Sequence, residues 1–407
     1  MRARLTTRGV TLLVGGVLVW VTGRLLGVPE LSMVAVTSIA LVGSSCLSLM
    51  LGTRAISASR TLAARCLDHG GRGGGTLELR NDGRGSSTSL LVEEWCPQAL
   101  LNAGGPLNFT VPRVDRGQVV TLEYQIVGGA RGRHTVGPLL VSARDPFGFA
   151  QRSWRVVETD ELLVYPPIEK LPSHAIPGHQ PLIVGDEFDT MREYVRGDDL
   201  RQIHWPSTAH RQRLMVRQHE QSRVAQACVF LDVRGCAHPG SGPGSTGEKA
   251  IGVAASLVAH LAAGGFQPCL VTEADQRSPR AQDLPRLMER LAEMKPSPMT
   301  SLAPAFGRVS DGEWLLIAVV RPPPSDGDLA TSIDVRALAR AGRGGRGRIA
   351  VVVAEGPGDA RAHELTRILA GAGWRAAPIA PDQPLANCEI LRAPGTRQAH
   401  RVTQGPP

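Results

Sequence analysis

The chain has almost no lysine and few aromatic residues. Lysine occurs three times among 407 residues, so arginine carries nearly all the positive charge behind the formal net charge of +8. An anionic lipid surface explains a basic balance as well as a nucleic acid does. Phe, Trp and Tyr make up only 4% of the residues, which leaves few rings on which bases could stack. We therefore expect no specific nucleic-acid partner.

Clustered cysteines and the common catalytic motifs are also missing. The seven cysteines are scattered and form no C-x-x-C pair, whereas a zinc site needs clustered ligands and a secreted scaffold needs denser pairing. We expect reduced thiols in a cytosolic compartment. The sequence has no HExxH, no G-x-x-x-x-G-K-[ST] and no nucleophile elbow. We predict no cofactor and no enzymatic activity.

Two long apolar runs stand near the start of the chain, at residues 10–28 and 31–51. About 17–25 such residues span a bilayer as a helix, so both runs are long enough. Gly27, Pro29 and Glu30 predict a tight turn between them, and residues 1–56 therefore predict a transmembrane helical hairpin. A signal peptide followed by one helix is the alternative, but no A-x-A-like cleavage site separates the runs.

The arginines predict how the hairpin is oriented. The connecting turn has only Glu30, and Arg24 near it can reach either interface. The remaining arginines flank the outer ends of the hairpin: Arg2, Arg4, Arg8, Arg54, Arg60 and Arg65. Because basic residues stay on the cytoplasmic side, we expect a multi-pass protein with both termini and all later domains in the cytoplasm.

Residues 61–166 show apolar residues with period two. We predict strands over four ranges: 75–80, 89–95, 119–127 and 135–142. Short strands separated by glycine-rich turns predict a small β-sandwich. At its end, Asp145-Pro146-Phe147-Gly148 predicts a tight turn pinned by a ring.

Residues 224–392 alternate strand and helix. Predicted strands cover 226–233, 267–272, 314–320, 348–354 and 374–379, and predicted helices cover 248–263, 283–294, 328–341 and 360–372. This alternation predicts an α/β domain with a doubly wound parallel sheet. The polar tail, residues 393–407, is expected to be disordered.

Residues 167–223 are read as a linker followed by a charged stretch, residues 185–220, which we call the signature segment. Its acidic and basic residues alternate so closely that we expect most of them to pair with one another. We predict Trp205 and Leu214 as core anchors and Asp198 as a helix N-cap. Asp198, Asp199 and His204 also have the chemistry of acid–base or metal catalysis, so a metal-dependent membrane-bound hydrolase is the alternative function.

The order G-x-E-F-x-x-x-R-E-Y-x-x-G-D-D-x-R-x-I-x-W-x-x-x-A, then L-M-V-R, resembles the signature of the domain of unknown function 58 (DUF58) family. Its matching positions are Glu187, Phe188, Arg192, Glu193, Tyr194, Gly197, Asp198, Asp199, Arg201 and Trp205, with His204 inside the pattern. The resemblance implies a bacterial inner-membrane anchor, a von Willebrand factor A-like domain and a MoxR-type AAA+ ATPase as partner. These residues are our candidates for a partner-binding or structural role.

A von Willebrand factor A domain carries a D-x-S-x-S metal site at the end of a strand. Here the corresponding residues are Asp232, Arg234 and Cys236, so both serines are replaced. A hard divalent cation needs several oxygen ligands. We expect the fold to be retained, the metal site to be lost, and Arg234 to neutralise Asp232.

Two glycine-rich stretches are interpreted as structural turns and not as ligand-binding loops. Residues 240–247 precede a predicted helix, and we expect Ser245 or Thr246 to cap it. Residues 340–348 (RAGRGGRGR) resemble a nucleic-acid-binding tract but contain no aromatic residue, so we favour a basic turn. The function we predict is a non-enzymatic, membrane-anchored scaffold or adaptor in protein maturation or envelope-complex assembly.

Overall fold

The computed structural model of the chain describes residues 3–52, 56–83, 85–100, 105–172, 176, 189–194, 203–219, 226–276, 280–309, 314–324, 327–345 and 347–391. The predicted disordered tail lies outside these residues. The chain divides into two units, Met1–Pro167 with Ala292–Met294 and Ile168–Leu291 with Lys295–Pro407. Each unit is described by itself.

Two antiparallel helices, α1 (Thr7–Leu26) and α2 (Pro29–Gly52), form a hairpin in the first unit. Helix α1 ends because Gly27 adopts a left-handed conformation (φ +69°), and its N–H donates to the carbonyl of Gly23. Proline at the first position of α2 lacks only an N–H that the helix would leave unbonded. The predicted hairpin is therefore observed.

Eleven strands are described in the first unit: β1 (Ala3–Leu5), β2 (Ile56–Leu62), β3 (Cys66–Leu67), β4 (Arg72–Asn81), β5 (Leu90–Cys96), β6 (Gly105–Val111), β7 (Val119–Val127), β8 (Gly132–Val136), β9 (Leu139–Arg144), β10 (Ala150–Val157) and β11 (Asp160–Val164). They form sheets of order β1-β10-β9-β5-β6, β2-β4-β7 and β3-β11-β8. Their apolar faces share one core, which Leu77, Val92 and Val141 illustrate. We call this part the β body.

The strand predicted over 135–142 is wrong as a single element. The chain bends at Gly137 (φ +97°) and Pro138, so that β8 and β9 belong to different sheets. Proline cannot donate to a ladder, which is why the strand breaks there. Strand β1 was not predicted either; it precedes α1 and pairs antiparallel with β10.

The described elements of the remaining chain are β12 (Asp189–Glu193), α3 (Trp205–Arg211), β13 (Met215–His219), β14 (Gln226–Leu231), α4 (Thr246–Ala263), β15 (Gln267–Thr272), α5 (Leu284–Glu293), α6 (Ala303–Val309), β16 (Leu315–Val320), α7 (Ile333–Arg340), β17 (Gly347–Val353), α8 (Ala360–Gly371) and β18 (Arg375–Ile379). Strands β12 and β13 pair antiparallel as a two-stranded sheet. Helix α6 was not predicted, since it is only seven residues long.

Five parallel strands form the central sheet, in the order β15-β14-β16-β17-β18. Cys228 and Phe230 of β14 face the core shared with α6, α7 and α8, whereas α4 contacts β14 and β15 without joining that core. Helices on both faces and a strand order of 2-1-3-4-5 define a doubly wound sheet. The predicted parallel α/β architecture is therefore observed.

Candidate functional site

The carboxyl ends of β14 and β16 form the crevice at which a doubly wound sheet usually binds its ligand. Asp232 directly follows β14, and Arg321 directly follows β16, its neighbour in the sheet. The strand order reverses between these two strands, because β14 connects to β15 on one side and β16 to β17 on the other. We call this region the strand-end site.

Arg234 fills the strand-end site and is fully buried. Its Nε and Nη2 donate to the two carboxylate oxygens of Asp232, each at 2.9 Å, and its Nη1 donates to Asp334 Oδ2 at 2.9 Å. Asp232 is itself 0% exposed. A two-pronged arginine–carboxylate pair fixes the plane of the guanidinium as well as its position. Arg234 is therefore held rigidly between two carboxylates.

Asp334 also organises the backbone around the site. Its second oxygen, Oδ1, accepts hydrogen bonds from Ser301 Oγ at 2.6 Å and from the backbone N–H groups of Leu302 at 2.8 Å and Ala303 at 3.1 Å. Asp334 lies in the first turn of α7, and Ala303 begins α6. The Asp334 carboxylate thus belongs to α7, caps the start of α6 and pairs with Arg234.

The electrostatics keep this arginine charged. Burial by itself lowers the pKa of Arg234, but the hydrogen bonds to Asp232 and the charges of Asp232 and Asp334 outweigh it and raise the pKa. Desolvation costs several kcal/mol for each buried ion, and here it is offset by paired charges and complete hydrogen bonding.

Two further titratable side chains lie beside the pair and were not predicted. Glu273 directly follows β15 and accepts a hydrogen bond from Val233 N at 3.2 Å; burial and the charge of Asp232 raise its pKa. His238 shares a 3.1 Å hydrogen bond with Thr246, and burial lowers its pKa. The position of Glu273 at a strand end was the signal in the sequence that could have identified it.

The three residues at the D-x-S-x-S positions do not form one ligand set. Asp232 is occupied by Arg234, while Cys236 is exposed and its Sγ faces the carbonyl of Met299 at 3.8 Å. Among the described residues, no group of three or more His, Cys, Asp or Glu side chains is arranged to hold a metal ion. A guanidinium stands between the two carboxylates at this site.

At the rim of the strand-end site, Arg321 is held by hydrogen bonds and an ion pair. Its Nη1 donates to the carbonyl of Ala237 at 2.6 Å, and its Nη2 pairs with Glu355. The arginine side chain is 10% exposed and the glutamate side chain 67% exposed. The rim therefore combines one tethered cation with one solvated anion.

The signature segment is described only in part. Six of its candidate residues lie outside the described residues: Glu187, Phe188, Gly197, Asp198, Asp199 and Arg201. Arg192 lies in β12, but its side chain is not among those described. Glu193, Tyr194, His204 and Trp205 are described with their side chains.

Helix α3 is tied to the β12–β13 pair by its backbone. Tyr194 N donates to the carbonyl of Leu214 at 2.8 Å, and His204 N donates to the carbonyl of Met215 at 2.9 Å. His204 is the N-cap of α3, since its Nδ1 accepts from Ser207 N at 3.3 Å. The described cap is thus a histidine, six residues after the predicted Asp198.

The prediction that Trp205 and Leu214 are core anchors is wrong. Trp205 is 65% exposed and Leu214 is 42% exposed, whereas Ile203 and Met215 are buried. Trp205 is the first residue of a two-turn helix that buries none of its side chains. In the same segment, Arg213 pairs with Glu193 at 3.3 Å, which agrees with the expectation that charges in this segment pair with one another.

The two glycine-rich stretches are built as turns. Ser245 Oγ accepts from Glu248 N at 3.3 Å and so caps α4, as expected. Arg348 donates to the carbonyls of Ala339 and Ala372 and lies 5.6 Å from the ring of Trp374. This arginine stabilises the C-terminal ends of α7 and α8.

A second buried charged cluster lies in the β body, and the sequence analysis missed it. Arg60 of β2 pairs with Glu94 of β5 at 2.8 Å and with Asp160 of β11 at 2.6 Å. The side chains of Arg60 and Glu94 are fully buried. Burial raises the pKa of Glu94 to about 7, although the charge of Arg60 acts to lower it. This cluster joins the three sheets.

Comparison with known proteins finds a relative of part of the chain. An uncharacterised protein of Bacillus subtilis, YeaD, is 24% identical over 193 residues, which are 44% of this chain and 48% of that protein. The aligned stretch thus spans about half the length of this relative.

Solved structures give only remote similarity. A cohesin module from a Clostridium perfringens family 33 glycoside hydrolase aligns with a TM-score of 0.21 at 8% identity, over 28% of this chain and 98% of the module. The Pseudomonas fluorescens alkylpurine DNA glycosylase AlkC aligns with a TM-score of 0.20 at 13% identity, over 31% of this chain and 38% of the glycosylase. Scores of this size establish no common fold.

A family match covers most of the signature segment and part of the strand-end site, including Asp232 and Arg234 but not Arg321 or Asp334. Residues 190–314 match the protein family of unknown function DUF58, which begins within β12 and reaches the residue before β16.

Proposed function

We propose that this protein is a membrane-anchored, non-enzymatic scaffold that binds a protein partner through the described surface of its signature segment. The observation that carries the proposal is the exposure of Trp205, 65% of which faces solvent. Tryptophan is enriched among the residues that dominate binding energy at interfaces. An exposed tryptophan in a segment that also carries the exposed Glu193–Arg213 pair offers an apolar anchor together with charged groups.

The hairpin supports anchoring in a membrane. Helices α1 and α2 have mean hydropathies of 1.8 and 1.9, and only 17% and 22% of the respective residues are buried. A core helix of a soluble protein would bury most of its apolar residues, whereas Leu18, Leu25 and Met33 are more than half exposed. Lipid is the solvent that accommodates such a surface.

The strand-end site supports a role other than catalysis. We infer that the α/β domain is von Willebrand factor A-like and that Arg234 supplies the positive charge a bound cation would give. Both oxygens of the Asp232 carboxylate already accept hydrogen bonds from a buried guanidinium, so neither is free to act on a substrate. The charged groups of the strand-end site bond to one another and so stabilise the fold.

The partner we propose is a MoxR-type AAA+ ATPase, which the signature implies by resemblance. The test is affinity capture of the detergent-solubilised full-length protein with and without ATP, followed by mass spectrometry. Recovery of an AAA+ ATPase that depends on the nucleotide is the expected result. Recovery of general chaperones alone would overturn the choice of partner.

A further inference from the structure

An apolar groove runs along the helical hairpin from its outer end. It has a volume of about 580 Å³ and is lined on α1 by residues from Thr7 to Val19, on α2 by Val34 and Ser38, and at its mouth by Phe149. Twelve residues of helix rise about 18 Å, more than half of the roughly 30 Å hydrocarbon core of a bilayer. The groove is therefore long and narrow.

The walls of the groove are apolar even where the sequence is polar. Thr11 Oγ1 donates to the carbonyl of Thr7 at 2.9 Å, and Ser38 Oγ donates to the carbonyl of Val34 at 2.9 Å. Both hydroxyls thus form their hydrogen bonds within their own helices and need no polar ligand. Gly15 forms part of the floor and has no heavy atom within 4 Å of the place where a Cβ would stand.

The mouth of the groove is basic and rigid. Arg8 lines it, is exposed and forms no ion pair with any residue that the structure describes. The turn that carries Phe149 is fixed against the start of α1, because Thr6 N donates to the Phe149 carbonyl at 2.9 Å and Thr6 Oγ1 donates to the Gly148 carbonyl at 2.5 Å. The guanidinium and the turn therefore stay at the same end of the groove.

We propose that this groove binds one anionic phospholipid, with an acyl chain along α1 and its phosphate at Arg8. The proposal rests on the membrane anchoring proposed above. Lipid surrounds a spanning hairpin, an apolar slot takes a hydrocarbon chain, and the cation at the mouth selects a negative headgroup.

Filling the groove is the first test. Gly15→Leu adds a side chain to the groove at a position where a Cβ meets no atom within 4 Å. Gly43→Leu makes the same change on α2, where a Cβ also meets nothing within 4 Å and the residue does not line the groove. The full-length protein in detergent is titrated with an equimolar mixture of phosphatidylglycerol and phosphatidylcholine and examined by native mass spectrometry. Wild type and Gly43→Leu should hold one phosphatidylglycerol, and Gly15→Leu should lose it.

Removing the charge is the second test. Arg8→Gln should reduce the preference for phosphatidylglycerol over phosphatidylcholine about fivefold, the effect of one arginine near an anionic surface. Arg24→Gln, in the last turn of α1 and therefore at the opposite end, should leave the preference unchanged.

Three results would overturn the proposal. Equal lipid retention by Gly15→Leu and Gly43→Leu would place the lipid elsewhere, and equal binding of the two lipids by wild type would remove the role of Arg8. A dimer that only Gly15→Leu abolishes would make the groove an interface between two copies of the chain. Carbonate extraction of the same variants separates these results from a failure of membrane anchoring, which would release wild type as well.

Discussion

Arg234 shows how a single side chain decides what the strand-end site can do. It is fully buried and forms three hydrogen bonds to the carboxylates of Asp232 and Asp334. The sequence predicted the pairing with Asp232, two residues away. It did not predict Asp334, since 100 residues separate the partners and only the fold brings them together.

Loss of the arginine should destabilise the fold strongly. Arg234→Met removes the cation and leaves two carboxylates without a partner, which we expect to lower the free energy of unfolding by about 3–5 kcal/mol. Thermal unfolding of the full-length protein in detergent measures the effect. Arg367→Met, at an exposed position of α8, is the matched control. A change no larger than that of the control would show that Arg234 does not neutralise the site.

Restoring the two hydroxyls tests whether Arg234 stands in for a cation. In the double variant Arg234→Ser, Cys236→Ser, Asp232 and Asp334 are freed and two hydroxyl oxygens are added, which is the donor type that Mg²⁺ and Mn²⁺ prefer. We expect Mn²⁺ to raise the melting temperature of the double variant and to leave wild type unchanged. A double variant that is folded and indifferent to Mn²⁺ would contradict the assignment.

Glu94 should make the stability of the β body depend on pH. Its pKa is about 7 in the folded protein against 4.5 for the ordinary group, so between these values the unfolded chain loses a proton that the folded chain keeps. The free energy of unfolding should therefore fall by up to about 3 kcal/mol as the pH rises from 4.5 to 7.

Glu94→Gln mimics the protonated form and should flatten this fall, measured as melting temperature against pH. Glu123→Gln, on the exposed side of β7, should follow wild type. If Glu94→Gln keeps the full pH dependence, another group is responsible.

At the scale of elements, hydrophobic periodicity predicted every strand of the parallel sheet but only some strands of the β body. Strand β7 was predicted with its observed bounds, and the strands of the parallel sheet were predicted to within two residues because each is a continuous apolar run. Strand β1 has only three residues and no pattern of its own; it exists because β10 offers a free edge.

The signature segment shows the limit of composition as a guide to burial. Trp205 was predicted to be buried because large aromatic residues usually are. The described α3 has two turns and no buried side chain, so its first residue is exposed. Sequence alone could not settle this, since exposure depends on which face of a short helix meets the rest of the domain.

The turn that was predicted at Asp145 is closed by a carboxylate and not by a ring. Asp145 accepts hydrogen bonds from Ala150 N at 2.6 Å and from Phe147 N at 3.1 Å, while Phe147 is 57% exposed. The turn then packs on the start of α1, where a Cβ at Gly9 would lie 2.1 Å from the Phe149 carbonyl oxygen. Glycine is required at this contact.

Gly9→Ala should therefore loosen the joint between α1 and the β body. Because the nearest atom is backbone and cannot rotate away, we expect a loss of about 1–3 kcal/mol in the free energy of unfolding. Gly15→Ala, which meets no atom within 4 Å, is the control in the same helix. Equal melting temperatures for the two variants would mean that α1 is not seated on this turn.

At the scale of the whole molecule, the two units divide the work of the proposed scaffold. The first unit contains the apolar hairpin and the β body, and the second contains the parallel sheet together with the described part of the signature segment. Each unit has a buried charged cluster that links distant parts of its chain, Arg60 in one and Arg234 in the other. Ion pairs between residues that are far apart in the chain hold each unit in one packing arrangement, which suits a rigid platform for a partner.

The most direct test of the scaffold proposal compares two exposed tryptophans. Trp205→Ala and Trp95→Ala remove the same side chain, from the signature segment and from β5 of the β body, where it is 49% exposed. Capture of the AAA+ ATPase in ATP by the full-length, membrane-extracted protein is then quantified. We predict that Trp205→Ala loses at least about 2 kcal/mol of binding, roughly thirtyfold in affinity, and that Trp95→Ala binds as wild type does. Undiminished capture by a folded Trp205→Ala would contradict the proposal.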